Sequence, residues 1–427
     1  MSSHHHSEAA RLARLSVITV LVILVLLAAG LVSGVQAAWR GRIVQTDGVK
    51  RVENPAEPMK SPRRVQLEEL WRIGGDSDDE NEFFGVLVQL LVDGAGNVYL
   101  LDQMLNEVKI FSPEGEYLRT IGREGEGPGE FRTPADMVFL PESRLAVLQR
   151  MPGRIVLLTL AGEPAGEHPL PAREGGGAVG IMNGRGAGRH IHIVYGFDRY
   201  EGSLYDHTRG IGRLADDGSI AHVFAENQRG FDFAQPVIAE GVWDGFEARW
   251  DVGPDGHVIV GETRDDYAVT VWSPAAEKLH VAARAYTPRG RSGEEKEQME
   301  AIYEPFIRAV PGAVPEIEGH DAPITQLYAR AGGAFLVLDS YGFRDNPEGS
   351  LGVFDVFDGA GRYVERVTLM GQGRPLRDGY VFRGNRLYVM TDFLDAAMNA
   401  AGGARDEATD EEAEPMSVIC YRLDGTF

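Results

Sequence analysis

Cysteine is nearly absent from this chain: among 427 residues only Cys420 carries a thiol. One thiol excludes an internal disulfide and a thiolate metal cluster. It falls in an apolar stretch, Met416 to Leu423, and reads as a small buried side chain. Basic side chains are also short in supply, 42 Lys and Arg against 64 Asp and Glu, for a formal charge of −22. So acidic a surface repels phosphate backbones and removes nucleic acid from the candidate partners. Catalytic signatures are missing as well, with no nucleophile elbow anywhere in the chain. The run Gly125 to Glu130 imitates a phosphate loop. However, Glu124, Glu126 and Glu130 would repel a phosphate, and a strand follows where a helix is needed.

Glycine is abundant, with 53 residues, most of them in short clusters between apolar runs. That is the composition of many short strands joined by tight turns. Val88 to Gly122 parses as four strands, and Ala135 to Leu170 repeats the same order at similar spacing. Further copies begin near Ala178, Phe246, Ile324 and Asp378. Their second strands align as NVYLLD, RLAVLQ, HIHIVY, HVIVGE, AFLVLD and RLYVMT. One such sheet cannot bury both of its faces, but a ring of them lets each cover its neighbour. The last copy stops one strand short, and Val65 to Ile73 is a spare strand at the other end. The expected architecture is therefore all-β. It is a six-bladed β-propeller of four-stranded blades over residues 65–427, its last blade completed by the N-terminal strand, with one helical insertion on the rim.

The run IGREGEGPGEFRTPADMVFL resembles the blade junction of NHL-repeat propellers, and DGAGNVYLLD resembles the second-strand motif of NHL and TolB-like propellers. This resemblance is close over one blade and extends to most of the chain only as a repeat. It implies the fold. It implies little about activity, because similar propellers include lyases, lactonases and plain binding modules.

Arg11 and Arg14 precede an apolar stretch from Leu15 to about Val35, with Val35-Gln36-Ala37 as a small-x-small cut site. Residues 1–37 thus read as a signal peptide or a signal-anchor transmembrane helix. Either way the positive-inside rule sends the bulk of the chain across the membrane, to an extracytoplasmic or periplasmic location. Residues 38–64, with Pro55, Pro58 and Pro62, read as a linker.

Loops after the first and third strands of each repeat are short, while those after the second and fourth hold every long insertion. By strand parity the insertions share one face, where binding usually sits. That face is expected to be electronegative. Its candidates are Asp76, Asp78, Asp79, Glu80, Glu82, Glu124, Glu126 and Glu130, the Asp406 to Glu414 run, Tyr200 and Asp345. The insertion Thr287 to Pro323 should hold a helix capped by Ser292, with Met299, Ile302, Phe306 and Ile307 on its apolar face.

His190 and His192 form an H-x-H pair, which on a strand points to one face and could share a metal, though satisfied strand histidines are commoner. Two functions follow. One is a binding or scaffolding module without a cofactor. It would meet a protein or small ligand on the loop-rich face, within a larger membrane complex as one setting. The other is a metal-dependent lyase or hydrolase whose site lies at the channel mouth and uses a divalent cation. That site requires carboxylates and histidines converging on the axis.

Overall fold

The computed structural model describes residues 39–171, 179–246, 248–393 and 415–423. The apolar run at 15–35 and the charge run at 406–414 lie outside them. The propeller unit spans Arg40–Phe427.

Four strands come first: β1 (Arg42–Thr46), β2 (Val49–Asn54), β3 (Arg63–Gln66) and β4 (Glu68–Gly74). Blade 1 is β5 (Leu87–Val92), β6 (Val98–Asp102), β7 (Glu107–Phe111) and β8 (Tyr117–Ile121). Blade 2 is β9 (Pro134–Leu140), β10 (Arg144–Gln149), β11 (Arg154–Thr159) and β12 (Pro164–His168). Blade 3 is β13 (Gly180–Ala187), β14 (His190–Glu201), β15 (Leu204–Leu214) and β16 (Ile220–Asp232). After β17 (Val237–Ala239) and the short helix α1 (Glu240–Trp243), blade 4 is β18 (Trp250–Val252), β19 (Val258–Val260), β20 (Ala268–Trp272) and β21 (Lys278–Arg284). The helix α2 (Gly293–Ala309) and β22 (Val314–Glu316) lead to blade 5. This blade is β23 (Ile324–Ala329), β24 (Phe335–Asp339), β25 (Ser350–Phe357) and β26 (Tyr363–Met370), with a short helix α3 (Ser340–Arg344) after β24. Blade 6 is β27 (Gly379–Arg383), β28 (Arg386–Met390) and β29 (Ser417–Arg422), and its fourth strand is β4. The molecule is a six-bladed β-propeller closed by an N-terminal strand.

Packing explains the ring. Every residue of β6, VYLLD, is buried, as expected of a strand covered on both faces. The buried apolar side chains form one cluster in each gap between neighbouring blades. Tyr99 and Ile110 of blade 1 meet Met137 and Val147 of blade 2. Val194 and Phe224 of blade 3 meet Trp250 and Val258 of blade 4. The closing gap is equivalent: Ile73, Tyr388 and Cys420 of blade 6 meet Leu87, Leu90 and Phe111 of blade 1. Cys420 is fully buried and burial pushes its thiol up to about 11, so it acts as an inert apolar group.

Polar side chains fix the two ends of the blades. On the short-turn face Asp93 accepts from the backbone N–H of Ala95 and Asn97, and Gly96 takes φ +91° in the turn. Asp358 repeats the arrangement with Ala360 and Arg362. On the other face Asp102 ends β6 and accepts from the N–H groups of Gly85, Val86, Met104 and Leu105. One carboxylate thereby holds both the entry to blade 1 and the loop leaving its second strand.

The N-terminal segment departs from expectation. The stretch expected to be a linker carries strands in its described part, 39–64. β1 and β2 make a hairpin, and β2 adds parallel to β21 at the outer edge of blade 4. The stretch read as one strand, 65–73, is divided: β3 adds parallel to β26 of blade 5, and β4 crosses to blade 6 beside β29. The segment is a strap over the outer edges of three blades. Its signal is hidden because outer-edge strands face water; no residue of β1 is buried. The insertion helix α2 is present with the expected cap, Ser292 Oγ accepting from Glu295 N and Glu295 reaching back to Ser292 N. Its apolar face is thinner than the spacing predicts. Met299 and Ile307 are half-buried, but Ile302 is 52% exposed.

Asn54 is the pin of the strap. Its Nδ2 donates to Ala283 O and Gly361 O, each at 2.9 Å, and its Oδ1 accepts from Tyr363 N at 2.8 Å. Asn54→Ala strands these three buried groups and should cost about 3 kcal/mol or more in urea denaturation, at about 1–3 kcal/mol per buried group left unpaired. A loss below roughly 0.5 kcal/mol, the range of neutral surface changes, would mean the strap does not hold the blades.

Candidate functional site

The innermost strands of five blades are tied by a belt of polar side chains. Gln89 Nε2 donates to Asp136 Oδ1 at 2.6 Å. Arg185 donates from Nη1 to Asp136 Oδ2 and from Nε to Asp251 Oδ1, both at 3.0 Å. Asp251 Oδ2 accepts from Ala329 N at 2.8 Å. Asp136 also accepts from Met137 N at 2.7 Å and Gly184 N at 2.9 Å. Burial pushes the Asp136 carboxyl above its ordinary range, and Arg185 opposes this. Spacing alone did not reveal the belt, because its members occupy different positions on their strands. Both axial carboxylates face Arg185. Among the described residues no group of three or more His, Cys, Asp and Glu is placed to hold a metal ion.

His192 is fully buried, and its Nε2 accepts from Arg213 Nε at 3.1 Å. Burial and the Arg213 charge hold its imidazole down to about 3. The His190 ring stands 6.4 Å away, half-buried. A cation at Nε2 is incompatible with metal ligation through that nitrogen.

The long loops do share one face, and among the described residues several of their carboxylates are paired. Glu130 pairs with Arg123 and accepts from Gly127 N, while Glu126 and Glu124 lie 3.0 and 3.7 Å from Arg132. Asp345 pairs with Arg289 at 2.8 Å, and Glu82 accepts from Gly74 N. Tyr200 is 66% exposed at the tip of the β14–β15 hairpin, its ring 5.0 Å from that of Tyr205. What stands open is the 76–83 loop, where Asp76, Asp78, Asp79 and Glu80 are exposed and Asp79 caps a short turn through Asn81 N. Ser77 to Glu80 and Phe83 line a shallow depression of about 360 Å³.

Acidic residues that the sequence did not single out anchor the large insertion. Glu240 is 3% exposed and accepts from Arg264 Nη2 at 3.0 Å, Arg291 Nη1 at 2.6 Å and Glu318 N at 3.0 Å. Asp321 joins Arg289, Arg291 and Arg344. Only the folded geometry brings 240, 264, 291 and 321 together.

A family described as a 6-bladed beta-propeller matches residues 79–175, the span of blades 1 and 2. No curated protein matches the chain. Similar solved structures include a candidate exported protein of Bacteroides fragilis, at 11% identity and TM-score 0.46, over 85% of this chain and 99% of that one. Regucalcin of Agrobacterium tumefaciens, a calcium-binding protein, is similar at 12% identity and TM-score 0.40, over 85% and 97%. Virginiamycin B lyase of Staphylococcus aureus is similar at 11% identity and TM-score 0.39, over 83% and 99%. None of these likenesses carries an activity to this chain.

Two tests follow from the ionic networks. Arg185→Met leaves Asp136 buried without its counter-charge and should cost about 3–5 kcal/mol of stability, whereas Arg185→Lys, which keeps a cation there, should cost less. Equal melting of Arg185→Met and the parent would dismiss the belt as a tie. Glu295 is held down to about 2 by Arg289 and the Ser292 N–H. Its latch on α2 is fully present above about 4.5, the unfolded value, and is lost as pH falls through that window toward 2. Amide exchange across α2 should therefore quicken between pH 5 and pH 2.5 relative to the blades, and unchanged relative protection would contradict the latch.

Proposed function

We propose that this chain is a membrane-targeted, extracytoplasmic propeller that binds a protein or small ligand through its loop-rich face. The observation that carries this reading is the pairing of exposed apolar and acidic groups at the mouth of blade 1. Phe83 is 59% exposed beside Asp78 and Glu80, and Met104, against Gly85, is 62% exposed. Large apolar side chains left in water beside carboxylates that have no ion pair among the described residues suit a basic partner with an apolar anchor. The other long-loop carboxylates that the structure describes are largely matched by arginines, so the reading narrows from the whole rim to this loop. The extracytoplasmic location rests on Arg11 and Arg14 ahead of the apolar run. The alternative, a metal-dependent lyase or hydrolase at the channel mouth, draws no support from a belt whose Asp136 and Asp251 both face Arg185.

A photo-crosslinking amino acid in place of Phe83 should trap a discrete adduct in cells, and the same group at Ala95, on the short-turn face, should not. Adducts only from position 95 would put the function on the opposite face. Asn and Gln at 76–80 should weaken capture and flatten its salt dependence, because the Debye length falls from about 10 Å at 0.1 M to about 3 Å at 1 M. A reporter fused after Phe427 should be active outside the cytoplasm; activity only inside would reject the location.

A further inference from the structure

A second pocket, partly open to solvent, lies between blades 4 and 5, where the strap crosses. Its volume is about 510 Å³, and its wall includes Glu57, Arg284, Tyr286, Tyr341, Tyr363 and Arg366. That volume suits a small molecule. Behind the wall two carboxylates, Asp339 and Asp355, are completely buried. Asp355 takes Arg284, the Tyr267 and Tyr363 hydroxyls, the latter at 2.6 Å, and Arg366 at 3.2 Å. Asp339 takes Gly342 N at 2.6 Å and Arg366 at 3.2 Å, with Arg284 at 3.5 Å. Three tyrosine rings surround the Arg284 guanidinium, Tyr267 at 4.7 Å, Tyr363 at 5.0 Å and Tyr286 at 5.3 Å.

Donors outnumber acceptors here. Two guanidiniums carry about ten N–H groups, while two carboxylates offer about eight lone-pair sites, of which Tyr267, Tyr363 and Gly342 fill about three. Arg284 Nε is buried without a partner among the described residues. The carboxylates sit behind the guanidiniums, so an entering molecule meets Arg366 and Arg284 first. Glu57, on the strap, is exposed and supplies the one opposing charge in the wall. Tyr286 and Tyr341, with rings 5.8 Å apart, give the remainder an aromatic surface.

We propose that this pocket binds a small organic carboxylate, its carboxylate on Arg366 and Arg284 and its apolar body against Tyr286 and Tyr341. Planar guanidiniums recognise carboxylates by paired hydrogen bonds, and the tyrosines favour a flat ring. The site is separate from the loop of blade 1 and stands or falls independently of it.

The test is isothermal titration of the full chain with benzoate, and with benzamide as its neutral isostere. Benzoate should bind with a Kd at or below roughly 1 mM, and benzamide at least about tenfold more weakly, the equivalent of about 1.4 kcal/mol. Ala56→Trp fills the pocket from the strap without touching the ionic groups and should abolish binding while the melting temperature stays. Arg366→Gln should weaken benzoate at least about tenfold and leave benzamide unchanged. If Arg366→Gln fails to fold, the Ala56→Trp and benzamide arms still decide. Equal affinity for benzoate and benzamide, no heat from benzoate, or undiminished binding in Ala56→Trp would each overturn the proposal.

Discussion

A sheet with two apolar faces cannot stop at an edge of the molecule, and the rest of this structure follows from that constraint. Each blade presents Val, Leu, Ile and Phe on both sides, and each gap between blades holds its own cluster of buried side chains. Burying one Leu or Val is worth about 1.5–3 kcal/mol, so a missing neighbour would expose many such increments at once. Closure is therefore required for any blade to be stable. The chain meets the requirement by placing an N-terminal strand, β4, beside β29 in blade 6. An unpaired β29 would also leave an open sheet edge, a hazard for aggregation.

Rigidity of the ring separates the jobs of the two faces. On one face, Asx-type turns at Asp93 and Asp358 close hairpins with few residues. On the other, carboxylates at the ends of second strands hold loop backbone, Asp102 by accepting from four N–H groups and Asp339 from Gly342 N. Those anchored ends tolerate insertions, because loop-closure entropy rises only slowly with length. The largest insertion, with α2, is not left to packing alone: Glu240 and Asp321 clamp it through Arg264, Arg289, Arg291 and Arg344.

How much of this was legible depended on whether the signal was local. Blade number and order could be read because the second strands recur as short, largely apolar runs between tight turns, as in NVYLLD. The α2 cap could be read because Ser292 and Glu295 lie three residues apart. The strap could not, since β1, β2 and β3 lie on outer edges and show no apolar run, and three prolines made the region look like a linker. Charges on the rim were visible but their pairing was not. Arg132 sits beside Glu124 and Glu126 only in the folded turn. The belt and the inter-blade pocket were out of reach, because Gln89 and Asp251, or Glu57 and Arg366, are neighbours only once the ring exists.

The strap makes closure and the inter-blade pocket one physical problem. Asn54 accepts from Tyr363 N, and the same Tyr363 donates its hydroxyl to Asp355 at the base of the pocket. Two residues further along, Ala56 begins the pocket's outer wall, and β3 then pairs with β26, the strand that carries Arg366. Any molecule held between the strap and blade 5 touches both and must be released if the strap peels away. By linkage such a molecule stabilises the closed ring by RT ln(1 + [L]/Kd), about 2.7 kcal/mol at a hundredfold excess over Kd. The strap runs on into β4, the strand that closes blade 6, so the added stability acts on the segment that fastens the ring. An apolar plug would give packing there without dependence on a ligand. A donor-rich cavity leaves this edge of the ring responsive to what fills it.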